Sequence, residues 1–241
     1  MKAGIIAALP GELKPLVRGW RGGAAKDGVR RWIRNAGADT LIAVCAGMGA
    51  DAVRRAVAAA EADGPLDLVL SVGWAGARVP EPRPGDARVL SVVIDAQTGE
   101  QFQLTAGEAG LTLVTTGRVA NATEKAGLRA AYTGAVMVDM EGATAARMAQ
   151  MRGIPAACIK GVSDGLFADL PDLNRFLSAR GQLRTVPFLA YLVLRPRYWR
   201  SVAELGRNSS KAAQAIRDLV LEFIEQQKTD RLGRTETGLR G

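Results

Sequence analysis

Apolar residues fall in short runs punctuated by turn residues, and these runs alternate with stretches of helical period. Residues 2–9 (KAGIIAAL) form a continuous apolar run and predict a first strand, followed by a loop or helix start at Glu12. Residues 30–34 and 40–45 predict a strand pair around the turn signal Asn35-Ala36-Gly37. Gly47-Met48-Gly49 opens an alanine-rich helix over residues 51–62. Residues 66–72 read as a buried strand that ends at Gly73-Trp74-Ala75-Gly76. A turn-rich loop over residues 80–86 leads to a strand at 87–94, a further strand at 111–115 and a short helix at 123–131.

Residues 136–165 carry the densest pattern. A β-branched run at 136–138 stops at Asp139-Met140-Glu141, and a helical period follows through Ala145, Met148, Ala149 and Arg152. Gly153 ends that helix, and residues 154–159 predict another buried strand leading to Ser163-Asp164. Glu141 and Asp164 thus both stand just past the C-terminal ends of strands, the edge at which open α/β sheets bind ligands. After Asp164 the alternation stops. Residues 170–183 have helical spacing, 186–194 are apolar, a helix is expected over about 201–227, and 229–241 lack apolar periodicity and read as a mobile tail.

A chain of 241 residues, 48% hydrophobic and without internal repeats, suits one α/β domain over residues 1–228. The apolar and basic helical segment at 185–228 belongs to it. The alternation of strand and helix predicts a three-layer α/β/α arrangement around a central mixed, mostly parallel sheet.

Histidine is absent. That excludes Ser-His-Asp and Cys-His nucleophile systems and any imidazole zinc site, and no metal is expected. Acid–base work then falls to carboxylates, Lys, Tyr, Cys or water. Cys45 and Cys158 sit in apolar strands and read as small core residues in a reducing cytoplasm, unpaired. Residues 3–9 are cut short by Pro10-Gly11-Glu12, so they read as a strand and not as a secretory signal, and the run at 186–194 is too short to span a bilayer.

The formal charge is +8, and its excess is late. Between Arg175 and Ile216 seven cationic side chains beyond Arg175 face a single acid, Glu204. Such a cluster points to an anionic partner, a membrane surface or nucleic acid, or else to a solvated basic face. Phe188, Leu189, Tyr191, Leu192 and Val193 lie beside Arg195, Arg197, Trp199 and Arg200. Apolar and aromatic residues interleaved with arginine suit a membrane interface, a greasy channel, or an interface between subunits.

Several motifs together resemble the purine nucleoside phosphorylase and nucleosidase superfamily, which includes the methylthioadenosine/S-adenosylhomocysteine nucleosidases. They are MKAGIIAALPGE at the start, CAGMGA, SVGWAG followed by RPGD, then VDMEG and VSDG. The segment EKAGLRA at 124–130 and the stretch LVLRPRYWRSVAELGRNSSKAAQAI further resemble the hopanoid-associated phosphorylases, which are implicated in removing adenine from adenosylhopane.

The resemblance implies an enzyme that breaks an N-glycosidic bond. Asp164 matches the acid that meets purine N7, with Ser163 beside it; the bare alternative is a helix cap. Glu141 matches the acid that grips the ribose hydroxyls, and Met140 would pack on the ribose face; alternatively Glu141 is a first-turn acid and Met140 ordinary core. Glu12 matches the base that activates water in the hydrolases, or is an exposed helix-start acid. Asp139 stands where relatives carry an acid; with Trp74 and Lys160 it is expected among the substrate-binding residues, its particular role open. Ala75 and Gly76 would let backbone approach base or ribose, unless they form a plain turn.

Three positions depart from the pattern. Ser71 stands where a phosphate-holding arginine is expected in bacterial phosphorylases, Trp74 where relatives carry serine, and Lys160 where the methylthioadenosine enzymes carry arginine. Glu12 with Ser71 leans towards water as nucleophile, with phosphate as the possible co-substrate and no other cofactor. The expected substrate is a small-molecule or lipid nucleoside, with adenosylhopane the leading candidate, a methylthioadenosine-type nucleoside next, and a non-catalytic binding module as a third reading. No nucleic-acid partner is expected. A homo-oligomer is, in the cytoplasm and peripheral at the inner membrane face.

Overall fold

The computed structural model describes residues 1–23 and 26–238. Strands β1 (Lys2–Ala7), β2 (Arg21–Gly22), β3 (Arg30–Ala36), β4 (Asp39–Cys45) and β5 (Leu68–Ala77) precede β6 (Ala87–Asp95), β7 (Gln101–Gln103), β8 (Glu108–Thr115), β9 (Ala135–Asp139) and β10 (Ala156–Asp164). Helices α1 (Pro10–Leu13), α2 (Ala50–Ala60), α3 (Ala122–Ala131), α4 (Gly142–Gln150), α5 (Thr185–Val193) and α6 (Trp199–Gly238) join and follow them.

The strands make one mixed sheet that branches at β5. One arm runs β5–β1–β4–β3–β2, parallel as far as β4 and antiparallel beyond. On its other side β5 pairs in parallel with β10 and, through Gly76 and Ala77, in antiparallel with β9. Strand β10 continues to β6, β8 and back to β9, so five strands close into a barrel. The central run β4–β1–β5–β10 is parallel and buried, which is why its sequences are continuous apolar runs without polar alternation.

Successive side chains of a strand point to opposite faces, and the core divides accordingly. Ala3, Ile5 and Ala7 of β1 meet Ile216, Val220 and Phe223 of α6, with Leu13 of α1. Ile6 faces the other way, towards Val53, Ala56 and Val57 of α2 and Ala145 and Ala149 of α4. Helices thus cover both sides of the sheet, giving the three layers. Cys45 and Cys158 are buried and unpaired.

Three segments differ from the sequence expectation. Gly73–Gly76 is not a loop past the strand: β5 runs on to Ala77, and Gly73, Trp74 and Ala75 pair with Lys160, Gly161 and Val162. Residues 170–183 are not a helix apart from one short turn, Leu173–Phe176. Ser178 N donates to Gln182 O and Arg184 N donates to Phe176 O, which closes a hairpin-like loop instead. Thr185–Val193 form α5, within the helical segment expected at 185–228, with Pro187 in the first turn where the missing N–H costs nothing. Finally, α6 does not stop near Gln227 but continues to Gly238 through the expected mobile tail, and Arg231 there pairs with Asp39 at the end of the sheet. Residues 239–241 lie outside the described residues.

Candidate active site

At the C-terminal ends of β1, β5, β9 and β10 lies a cavity of about 620 Å³, inside the range that holds drug-sized ligands. Glu12, Trp74, Ala75 and Gly76 line it from one side, and Asp139, Met140, Glu141, Ser163 and Asp164 from the other. Leu173, Leu183, Phe188 and Tyr198 close it from above. The strand ends form its floor, and the excursion between β10 and α6 forms its roof.

Glu12 is 4% exposed and held by three main-chain donors. Ala8 N and Leu9 N donate to Oε2 at 2.8 and 2.7 Å, and Trp74 N donates to Oε1 at 2.8 Å. The alternative of an exposed helix-start acid therefore fails. Burial raises its pKa, opposed by these amides and by the charge of Lys160. A β-carbon at residue 73 would lie 2.8 Å from Glu12 Oε1, and Gly73 has φ +147°, so a glycine is required where the carboxylate approaches the strand.

Glu141 is the N-cap residue of α4. Its Oε1 accepts from Gly49 N at 2.8 Å, which ties the start of α4 to the start of α2. Burial, and then the neighbouring charge of Asp139, push its pKa up to about 8, with Lys160 acting in the opposite sense.

Asp139 and Lys160 are not open to a ligand. Their side chains pair at 2.8 Å and are 0% and 1% exposed. Asp139 also accepts from Thr115 Oγ1 at 2.7 Å and from Gly142 N at 2.8 Å, so it binds β8, β9, α4 and β10 together. Burial alone would lower the Lys160 pKa, but Asp139, by charge and hydrogen bond, together with Cys158 and Glu141, raises it. The expectation that both contact substrate is replaced by a buried clamp; Lys160 is not among the residues lining the cavity. Ser71 is also sealed, its hydroxyl without a partner.

Trp74 presents one edge to the cavity and donates from Nε1 to Ser209 O of α6 at 2.9 Å. Asp164 ends β10, and Ser163 Oγ donates to its Oδ1 at 2.7 Å. Its Oδ2 accepts from Lys125 Nζ of α3. Sequence reasoning misses Lys125. A lysine in a short polar helix reads as solvated, yet this side chain is 3% exposed and reaches the cavity wall.

Among the described residues no group of three or more Cys, Asp or Glu stands as a candidate metal centre. Two cations line the cavity, and both are paired: Lys125 with Asp164, and Arg118 with Glu124 at 3.1 Å. The arrangement can therefore accept protons and hydrogen bonds at three carboxylates and bury an apolar group beneath the roof.

The phosphorylase superfamily model matches residues 2–110 and 104–225. No curated protein matches the sequence. Solved structures do share the fold. A mutant MTAN of Helicobacter pylori with 5′-methylthioadenosine in its active site aligns at TM-score 0.70 and 13% identity, covering 93% of this chain and 98% of that one. The futalosine hydrolase of Helicobacter pylori aligns at 0.69 and 14%, covering 94% and 98%. The S-adenosylhomocysteine nucleosidase of Streptococcus pyogenes, in complex with 5-methylthiotubericidin, aligns at 0.68 and 17%, covering 94% and 97%. At such identities the likeness is one of fold.

Proposed function

The chain belongs to the phosphorylase superfamily, and on that premise we propose that it hydrolyses the N-glycosidic bond of an adenine nucleoside bearing an apolar 5′ group. The observation that carries this reading is the convergence of Glu12, Glu141 and Asp164 on one cavity whose roof is apolar. Cleavage builds positive charge on the sugar and negative charge on the leaving base. Glu141 would accept from the ribose hydroxyls. The ammonium of Lys160 is spent on Asp139, so it does not oppose the positive charge that builds on an oxocarbenium-like sugar. Asp164 would face N7 of the base, and Glu12 would take the proton of the attacking water.

Water is favoured over phosphate for an electrostatic reason. Among the described residues lining the cavity each cation already holds a carboxylate, so a phosphate dianion would face Glu12 and Glu141 without a free counter-charge.

The 5′ group would lie beneath Leu183, Phe188 and Tyr198, beyond the room a sugar and purine need. A triterpenoid such as the hopane of adenosylhopane fits that chemistry. The fold's likeness to structures holding methylthioadenosine supports a thioether nucleoside as the second reading. Outside the roof, Val186, Leu189, Val193, Leu194 and Trp199 are 53–81% exposed and stand among Arg184, Arg195, Arg197 and Arg200. This face would dock on an anionic lipid surface and admit an amphiphilic nucleoside from it. Among the described residues no helix is long and apolar enough to cross a membrane.

The test is adenine release from a panel of adenine nucleosides with graded 5′ groups, with and without phosphate. Free sugar as the product, and a preference that rises with 5′ apolarity, support the reading. Sugar 1-phosphate as the product refutes hydrolysis, and adenine binding without turnover refutes the enzyme.

A further inference from the structure

Asp164 does not stand alone. Lys125 Nζ donates both to its Oδ2 and, at 3.0 Å, to Gly165 O. Helix α3 is fixed at both ends to hold the lysine there. At its start Asn121 Oδ1 accepts from Glu124 N and Glu124 Oε2 accepts from Asn121 N, at 2.9 and 2.8 Å. At its end the fully buried guanidinium of Arg78 donates to Tyr132 O and Ala135 O, at 3.2 and 2.8 Å. A β-carbon at residue 76 would come within 2.7 Å of Lys125 Cε, so Gly76 leaves the channel through which the side chain passes.

A carboxylate paired with an ammonium is ionised, and an ionised carboxylate has no proton to give. We propose that Lys125 supplies the proton that neutralises the leaving purine, acting through Asp164; this rests on the nucleosidase reading of the cavity. As the C1′–N9 bond breaks, its electron pair passes to the base. A proton moves from Lys125 Nζ to the Asp164 carboxylate, and the carboxyl proton moves to N7. Adenine leaves neutral and Lys125 is left as the free amine. Water adds to C1′ with Glu12 taking its proton, and exchange with solvent restores both side chains. Lys125 is a positioning and proton-relay residue, and Asp164 is the group that meets the base.

The experiment compares wild type, Lys125→Met and Lys125→Arg on two substrates with the same 5′ group: the adenine nucleoside and a 4-nitrophenyl β-riboside, whose leaving group needs no proton. Arginine keeps the charge beside Asp164 but does not release a proton. Both variants should lose about 10²-fold in kcat/KM on the adenine nucleoside, in line with loss of general-acid catalysis. Both should stay within about threefold of wild type on the nitrophenyl riboside. In Lys125→Met the alkaline limb of the pH–rate profile should move to lower pH, because a lone carboxyl gives up its proton at lower pH than an ammonium.

Full activity of Lys125→Arg on the adenine nucleoside overturns the relay, and so does a parallel loss on both substrates, which marks a structural lysine. A wild type inert on both substrates overturns the nucleosidase reading itself, a failure separate from that of Lys125.

Discussion

Glu12, on the cavity floor, is buried and fixed by three main-chain donors, whereas Phe167, at the mouth beneath the roof, is 87% exposed and lines the same space. The floor is made of strand ends; main-chain amides place Glu12 and Glu141 there, and the Lys125 side chain of α3 places Asp164. The roof is made of loops and one short helix around a separate apolar cluster of Phe176, Phe188, Leu192 and Tyr198. Phe176 meets the rings of Phe188 and Tyr191 edge-on at 5.3 and 5.2 Å. It joins the floor through few main-chain contacts, chiefly Met48 N donating to Gly181 O at 2.7 Å. Under the proposed function the difference separates two tasks: the floor would set which bond breaks, and the roof what the nucleoside carries.

Changes to the floor should act on turnover. Asp164→Asn should cost about 10²–10⁴-fold in kcat, measured as adenine release, and should lower the Tm in calorimetry because the buried Lys125 loses its counter-charge. Wild-type turnover in that variant would remove Asp164 from the chemistry. Glu12→Gln should lose about 10²-fold if water is the nucleophile, because the amide cannot take its proton; unchanged phosphate-dependent turnover would reverse that assignment.

A roof change should act on KM instead. Phe167→Ser should raise KM about 10-fold for a nucleoside with a long apolar 5′ group and leave adenosine unaffected. Equal effects on both substrates would erase the division between the regions. Leu189→Glu with Val193→Glu should abolish co-sedimentation with anionic vesicles while shifting stability by under about 1 kcal/mol, since both side chains are exposed. Retained binding, or a change in mass by light scattering in place of it, would assign that face to another copy of the chain.

The smallest effect is a pH slope. Folded, Glu141 keeps its proton up to about pH 8, against an ordinary value of 4.5. The folded chain therefore binds more protons than the unfolded chain between these limits, and stability falls as pH rises through that window. No histidine titrates there to mask it. Glu141→Gln should flatten this part of a Tm-against-pH curve, and an unchanged slope would show that Glu141 is not the group responsible.

Most of the floor was legible in the sequence. Buried parallel strands are continuous apolar runs, and the acids that interrupt them mark the strand ends, which is how Glu141 and Asp164 stand out. What was not legible depended on partners remote in sequence. Nothing local distinguishes Asp139 and Lys160 from ligand-facing groups; only the pairing of β9 and β10 with the rest of the barrel brings them together and seals them. Lys125 is the converse case, a lysine in polar company that the path of α3 turns inward. The roof was not legible because leucine spacing in residues 170–183 mimics a helix, and the bonds that close its hairpin-like loop join residues four and eight apart in a pattern no local signal marks.

The excursion that begins after Asp164 and ends at Trp199 leaves from one strand and returns as a helix packed against that same strand. Both ends of the connection thus lie on one element. If the proposed function holds, exchanging it for another of the same span would change the 5′ group accepted while the sheet, with Glu12 and Glu141 and their amide donors, stayed as it is. Altered selectivity could thus be acquired, in the laboratory or by descent, through one replaced connection.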